Sequence, residues 1–462
     1  MVIPPIPPGR SQPGIITAAA VPVHNHLTGR LIVRKFTSIM LQKGDTVKGE
    51  LSTLGYGGQA LYKGKGITLF VPRGLPGDEV VVKIDKIKKN YGSGTLVKIL
   101  KPSEHRVSSH CPAFDQGCGG CQWLHFDYKQ QLFHKTKIVR ETLKHIGKLN
   151  VKVEPVIGMQ HPYAYRNKLS LHRDRKGKLG LCRENTQDVV VFDDCRQELP
   201  ANVRVYKVLK KLHLPQSVTQ VHIRSNTEGH TGIEFFSKSF SGFFHQLAER
   251  MAEEIRHLQG VVVRTYHGYQ TAGGETFLLQ QLGNSRFSIP HTSFFQTNYQ
   301  QAETLLELVR RGVKTHGGQV VLDLYSGVGF FAIDLAPSVR RVIAVESDPR
   351  AVAAARCNAR LNNIDNCTFI EEDVLTGLDK IREKRIDCLI LDPPRLGCER
   401  SVLERIGRIR PAKIIYISCA PDTLARDLTS LVAYGYRILD CRPLDMFPHT
   451  YHIETVVQLV LE

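Results

Sequence analysis

Residues 320–335 read VVLDLYSGVGFFAIDL: a buried-strand run (Val320–Leu324), a turn carrying Gly327 and Gly329, and an apolar segment of helical character (Phe330–Leu335). Glycines at such a turn let a ligand come close to the backbone. The order then repeats. Strand-like residues 342–345 end at Glu346, residues 369–372 end at Asp373, and residues 386–391 run into Asp392-Pro393-Pro394-Arg395. Residues 413–418 deliver Cys419 to a turn before a helical stretch, 423–431. Helix, strand and glycine turn alternating beyond Thr304 predict a doubly wound, Rossmann-like α/β domain on a parallel sheet.

Open sheets of this kind bind ligands beyond the carboxyl ends of their strands. Glu346 stands about one βα unit past the glycine turn, where a carboxylate accepts hydrogen bonds from ribose hydroxyls. The third glycine of a dinucleotide fingerprint is missing, with Ala332 in its place, and the strand-end Asp323 has no part in gripping a pyrophosphate. The expected cofactor is therefore S-adenosylmethionine rather than NAD, with Asp373 meeting the adenine.

The chain of 462 residues carries 62 Lys and Arg against 44 Asp and Glu, a formal charge of +18 that favours a polyanionic partner. Hydrophobic residues make up 42% and charged residues 23%, which suits several packed domains and excludes a disordered chain or a fibre. Apolar stretches such as 15–23 fall well short of the roughly 20 residues of a membrane-spanning helix, so no membrane partner is expected. That stretch faintly resembles a secretory signal, but Pro4, Pro5, Pro7, Pro8 and Pro13 would break its helix. The expected compartment is the cytoplasm, and residues 1–41 read as a disordered tail or a start placed too early. Eleven cysteines, an odd number in a long chain, suggest thiols or metal ligands rather than a disulfide framework.

Between Gly44 and Lys101, short apolar alternations broken by glycines predict a small OB-like β-barrel over residues 42–105. Lys83, Lys86, Lys88, Lys89, Lys98, Lys101 and Arg106, with Tyr91 among them, give it the cations and aromatic of a nucleic-acid-binding surface. Residues 106–280 read as a mixed α/β middle domain, opened by the cysteine-rich CPAFDQGCGGC (111–121) and a basic helix, with a further helical run over 244–258. Residues 281–462 are the Rossmann-like domain.

Cys419, before a helix N-terminus, is placed to lose its proton. Near the end of the chain, Glu454 stands at the start of an apolar strand, where a carboxylate can serve as a general base. These two fit one reaction. Carbon 5 of uracil becomes nucleophilic enough to take a methyl group once a thiolate has added to carbon 6. A base then removes the carbon-5 proton and the cysteine is eliminated. In a folded RNA the target uridine must leave its stack. The Asp392-Pro393-Pro394 turn also resembles the turn of amine-methylating enzymes, but Arg395 stands where their stacking aromatic would be. A non-catalytic RNA-binding factor on the same fold is the third reading.

The motifs GDTVKGELSTLGYGGQALYKGKGITLFVPRGLPGDEV, CPAFDQGCGGCQ, FFQTN, LDLYSGVGFF, LDPPR, SCAPDTLARDL and DMFPHTYHIE together resemble those of the RNA uracil-5-methyltransferase family, from about residue 42 onward. The resemblance implies a TRAM barrel, S-adenosylmethionine contacts at Gln296, Tyr325, Glu346, Asp373 and Asp392, Cys419 as nucleophile and Glu454 as base. Ala420 replaces the Asn usual after the nucleophile, and Phe330 a common Asn of the glycine turn. Members with a TRAM barrel and a cluster resemble 23S ribosomal RNA enzymes, so that RNA is the expected substrate, with transfer RNA the other candidate and a monomer assumed.

Cys111, Cys118 and Cys121 have C-x6-C-x2-C spacing, and Cys182 or Cys195 could supply a fourth thiolate. Four thiolates suit zinc or an iron–sulfur cluster. The family resemblance implies a [4Fe–4S] cluster with Cys195 as the fourth ligand. The spacing does not match the C-x3-C-x2-C of radical enzymes, so the cluster is expected to be structural or to position RNA.

Overall fold

In the computed structural model, which describes residues 41–314 and 317–462, the alternating N-terminal segment closes into a five-stranded barrel. Its strands are β1 (Thr46–Leu54), β2 (Ala60–Gly64), β3 (Ile67–Val71), β4 (Glu79–Ile87) and β5 (Tyr91–Lys101), ordered β1-β2-β3-β5-β4. Inward residues such as Leu51, Leu69, Val80 and Ile84 are fully buried. The expected tail falls almost wholly outside the described residues. A short helix α1 (Pro112–Asp115) follows, then α2 (Tyr128–His145), whose N-cap Asp127 accepts from Gln130 N–H at 3.1 Å.

The middle segment forms a seven-stranded sheet from β6 (Lys168–Arg173), β7 (Leu179–Cys182), β8 (Val189–Val190), β9 (Val218–Ser225), β10 (Thr231–Ser237), β11 (Leu258–Thr265) and β12 (Gly268–Gly274), in the order β12-β11-β10-β9-β6-β7-β8. Helices α3 (Pro200–Leu209) and α4 (Phe243–Glu254) pack on it through Val205, Tyr206, Leu247 and Met251. The helical run expected over 244–258 stops early. Ile255 turns extended and His257 takes a left-handed φ of 65°, so Leu258 already opens β11. A hairpin of β13 (Phe277–Leu282) and β14 (Ser285–Pro290) spans the 280/281 position expected as a domain boundary.

The last part comprises α5 (Tyr299–Val313), β15 (Val320–Leu324), α6 (Phe330–Leu335), β16 (Arg341–Glu346), α7 (Pro349–Leu361), β17 (Cys367–Glu371), α8 (Val374–Lys380), β18 (Cys388–Leu391), α9 (Arg400–Ile409), β19 (Lys413–Ser418), α10 (Pro421–Ala433), β20 (Tyr436–Leu444) and β21 (Glu454–Leu461). The sheet order is β17-β16-β15-β18-β19-β21-β20. Its first five strands are parallel, as expected, and the apolar runs of β15, β16, β18 and β19 are buried on both faces, while the edge strand β17 is partly exposed. Beyond these five, at the edge of the sheet, β21 runs antiparallel to both β19 and β20. Residues 445–453 between β20 and β21 are too few for the crossover of a dozen or more that a parallel return requires.

Candidate active site

The glycine turn after β15 is a cradle. Tyr325 has a left-handed φ of 63°, followed by Gly327 at 54° and Gly329 at 84°. A Cβ on Gly327 would meet nothing within 4 Å, so there is open space above the backbone, whereas one on Gly329 would crowd Ile333 at 3.2 Å and Ala355 at 3.3 Å. Glu346, at the end of β16, accepts from Gly327 N–H at 2.9 Å, Ser347 N–H at 2.7 Å and Asp348 N–H at 2.8 Å. Its carboxylate ties two strand-end loops together and keeps lone pairs toward the cradle. Asp323 is fully buried; Oδ2 accepts from Ala332 N–H at 3.1 Å while Oδ1 has no partner. Asp373 caps α8 and accepts from Thr376 N–H at 3.0 Å. Gln296, in the FFQTN stretch, has its carbonyl accepting from Asn167 of the middle segment at 2.8 Å, and its neighbour Phe295 packs against Phe330 of α6 with ring centroids 5.6 Å apart.

The nucleophile and base candidates meet through strand register. Ser418 of β19 pairs with Thr455 of antiparallel β21, so the next rung outward sets Cys419 opposite Glu454, side chains on one face. Asp392, at the end of adjacent β18, completes the group. Burial pushes Asp392 up to about 7, and burial with the Asp392 charge raises Glu454 well above the carboxylate range. Asp323 is raised by burial and by Asp392 and Glu346. These acids resist ionising side by side, and a cation among them would relieve that strain.

Cys419 departs from the sequence expectation of an easily lost proton. Burial and the facing Glu454 push its thiol up to about 11. Arg395 works the other way: its nearby guanidinium draws the thiol's pKa down, and it lies 3.2 Å from His452 Nδ1. A cation thus stands beside Cys419 in place of the aromatic that the Asp-Pro-Pro turn would otherwise carry.

In the loop before β21, His449 is buried and His452 half-buried. His449 stacks on Tyr163 with ring centroids 4.7 Å apart, and its Nδ1 lies 3.1 Å from Gln131 Nε2. Burial pushes both imidazoles down to about 3. The same loop is pinned from below by Lys135 of α2, whose Nζ donates to Asp445 Oδ1 at 2.5 Å with neither side chain exposed. A Lys and an Asp 310 residues apart give no sequence signal of pairing. The barrel also reaches the site: Tyr56, in its first turn, feels the charges of Asp422, Arg395 and Cys419.

Cys111, Cys118, Cys121 and Cys195 line one cavity with Phe114, Leu124 and Phe192. Cys182, the other candidate, is not on it. Burial pushes Cys121 and Cys195 up to about 12, and the Arg166 guanidinium pulls both back. Among the described residues no group of three or more His, Cys, Asp or Glu side chains is gathered closely enough to hold a metal ion. The four cysteines thus share one cavity without forming a ligand set among the described residues.

Barrel, sheet order and glycine cradle together have the architecture of a methyltransferase domain with an appended barrel. Residues 279–461 match the family described as tRNA (Uracil-5-)-methyltransferase, and residues 51–97 match the TRAM domain. An uncharacterized RNA methyltransferase of Halalkalibacterium halodurans is 33% identical, over 91% of this chain and 98% of its own length. One from Gloeobacter violaceus is 34% identical over 91% and 97%. The crystal structure of Pyrococcus abyssi tRNA (uracil-54, C5)-methyltransferase in complex with S-adenosyl-L-homocysteine superposes with a TM-score of 0.72 at 27% identity, covering 90% of this chain and all of that one. The chain belongs to the RNA uracil-5-methyltransferase family, and it is an RNA methyltransferase.

Proposed function

We propose that this enzyme methylates carbon 5 of a uridine in structured RNA, with Cys419 as nucleophile and Glu454 as base. The observation that carries the reading is the β19–β21 register, which sets a thiol and a carboxyl on one face beyond the strand ends. Bound S-adenosylmethionine supplies an electrophilic methyl group. Tyr325, Glu346, Asp373, Asp392 and Gln296 are the residues proposed to hold it. The open cradle above Gly327, the unpartnered Asp323 oxygen and the crowded acids suit a ligand with a sulfonium and an ammonium.

The thiolate of Cys419, steadied by Arg395, adds to carbon 6 of the uracil and pushes the electron pair toward carbon 5. Carbon 5 takes the methyl group, which bound S-adenosylmethionine would supply as its methyl–sulfonium bond breaks, the electron pair leaving on sulfur as a neutral thioether. Glu454 as carboxylate then accepts the carbon-5 proton, the pair re-forms the 5,6 double bond, and the carbon–sulfur bond breaks to release Cys419. Exocyclic-amine methylation would require neither the thiol nor a base facing it.

We further propose that Cys111, Cys118, Cys121 and Cys195 hold a [4Fe–4S] cluster. Four thiols on one largely apolar cavity, with Arg166 to balance anionic charge, suit such a group. Bound there, the cluster would cross-link the 111–121 loop to the segment before α3. Ribosomal 23S RNA is the proposed substrate, acted on in the cytoplasm by a monomer. Transfer RNA is the second reading, favoured by the P. abyssi likeness.

The test is release of tritium from RNA labelled at carbon 5 of uridine, with ribosomal and transfer RNA that lack 5-methyluridine. Release by wild type and not by Cys419→Ala supports the mechanism, and the faster RNA names the substrate. Methyl transfer without tritium release would overturn it in favour of an amine target.

A further inference from the structure

A second cavity, of about 410 Å3, lies beside the catalytic loop and takes no part in the chemistry above. Its size falls within the roughly 300–1,000 Å3 of small-ligand pockets. Four separate stretches of chain build it: the β1–β2 turn through Gln59, the cysteine loop through Gln122, the middle sheet through His172 and Asn185, and the catalytic loop through Tyr451.

These walls are held in place. Gly119 N–H donates to Cys182 O at 2.9 Å, and the buried Trp123 donates from Nε1 to Gly58 O at 2.9 Å. Gln122 and Trp123 N–H both donate to His449 O, at 3.1 and 3.0 Å. A Cβ on Gly58 would come within 2.8 Å of the Tyr451 Cβ, so barrel turn and catalytic loop are in direct contact. The lining chemistry is that of base recognition. Side-chain amides and an imidazole offer both donors and acceptors, and Tyr451 offers a ring edge. Arg183 is the one lysine or arginine on its wall, too little positive charge for a phosphate cage.

Its position matters as much. The Tyr451 ring centroid lies 4.3 Å from that of His452, His452 lies 3.2 Å from Arg395, and the Arg395 charge acts on Cys419. A uridine drawn out of its stack to reach Cys419 leaves its neighbours in the strand without stacking partners. Sequence-specific RNA recognition works on such splayed bases, by stacking and by hydrogen bonds to their edges.

We propose that this cavity is a second nucleotide subsite, which receives an unstacked base of the substrate RNA near the target uridine. The inference rests on the RNA-methylation reading above. It also gives the cysteine loop a role: Gly120 and Leu181 line both this cavity and the one that holds the four thiols, so the two share a wall.

The test uses the full chain and a stem-loop RNA in which each nucleotide flanking the target is made abasic in turn. Methyl transfer and binding by fluorescence anisotropy are read in parallel. One flanking abasic position is expected to raise KM and Kd about tenfold, the scale of one lost base contact. Gln59→Ala and Gln122→Ala, on different chain segments, are each expected to raise KM on the intact RNA with kcat little changed. Neither should have further effect on the RNA already abasic at that position. Equal binding of every abasic RNA, or variants that weaken intact and abasic RNA alike, would overturn the subsite. Failure of the methylation reading looks different: transfer is absent while one abasic position still weakens binding.

Discussion

Lys135 and Asp445 form an ion pair with no exposed side-chain surface, and its removal has a calculable result. In Lys135→Met the ammonium disappears, and with it the 2.5 Å bond to Asp445 Oδ1 and the 3.2 Å bond to Phe447 O. Asp445 keeps Tyr128 Oη on its other oxygen at 2.8 Å. A buried carboxylate stripped of its counter-charge costs about 3–5 kcal/mol. The double variant Lys135→Met/Asp445→Leu removes both charges and should regain most of that loss, because a buried pair replaced by apolar side chains is often neutral in stability. Urea unfolding of wild type, both single variants and the double variant measures the coupling, expected at about 2 kcal/mol or more. Since Asp445 begins the loop that leads to Glu454, kcat of Lys135→Met should fall at temperatures where the protein is still folded. A single-variant loss under 1 kcal/mol, or losses that simply add in the double variant, would refute the reasoning.

Further outcomes follow from the same geometry. With Cys419 held near 11, its thiolate fraction grows about tenfold per pH unit between pH 7 and 9; single-turnover rates should rise with that slope, and a flat profile would count against the thiolate. Arg395→Ala removes the group that lowers the thiol and should slow the reaction at every pH in this range. Glu454→Gln should allow the covalent RNA adduct to form and persist, visible as a protein–RNA band in denaturing gels. His125, His449 and His452 are held neutral in the fold, each down at about 3. Below their unfolded value near 6.5 the unfolded chain binds more protons, so stability should fall as pH drops from 6.5 toward 4, and His449→Gln should flatten that fall in a pH series of Tm. Iron and a visible absorption band should accompany the purified protein, vanish in Cys195→Ser and survive in Cys182→Ser.

Much of the architecture could be read before any coordinates. The apolar runs of β15, β16, β18 and β19 are buried on both faces, and such runs between glycine turns read as parallel strands. The barrel was legible from closely spaced alternation, and the cysteine loop from its spacing. What escaped reading depends on contacts between distant parts of the chain. The thiol of Cys419 looked acidic from its place before α10, because a local pattern cannot report the carboxyl that β21 sets across from it. Arg395 was visible only as a missing aromatic, and its effect on the thiol emerges once β18 and β19 lie side by side. His449 and Lys135 gain their roles by burial against partners hundreds of residues away. The early end of α4 was decided by the backbone at Ile255 and His257, not by any break in apolar periodicity.

The antiparallel strand β21 has a consequence for how the molecule comes into being. Domains fold as units, the earlier-made parts first, while the chain is being synthesised. The barrel, the middle sheet and the five parallel strands can all assemble before residues 454–461 exist. Cys419 would then stand at a strand end with an empty place beside it, where β21 later slides between β19 and β20. The side chain proposed as the base is the first residue of that late strand. A copy without β21 would therefore lack the side chain proposed to complete the reaction. The register that aligns the two side chains thus also sets the moment at which the enzyme becomes competent.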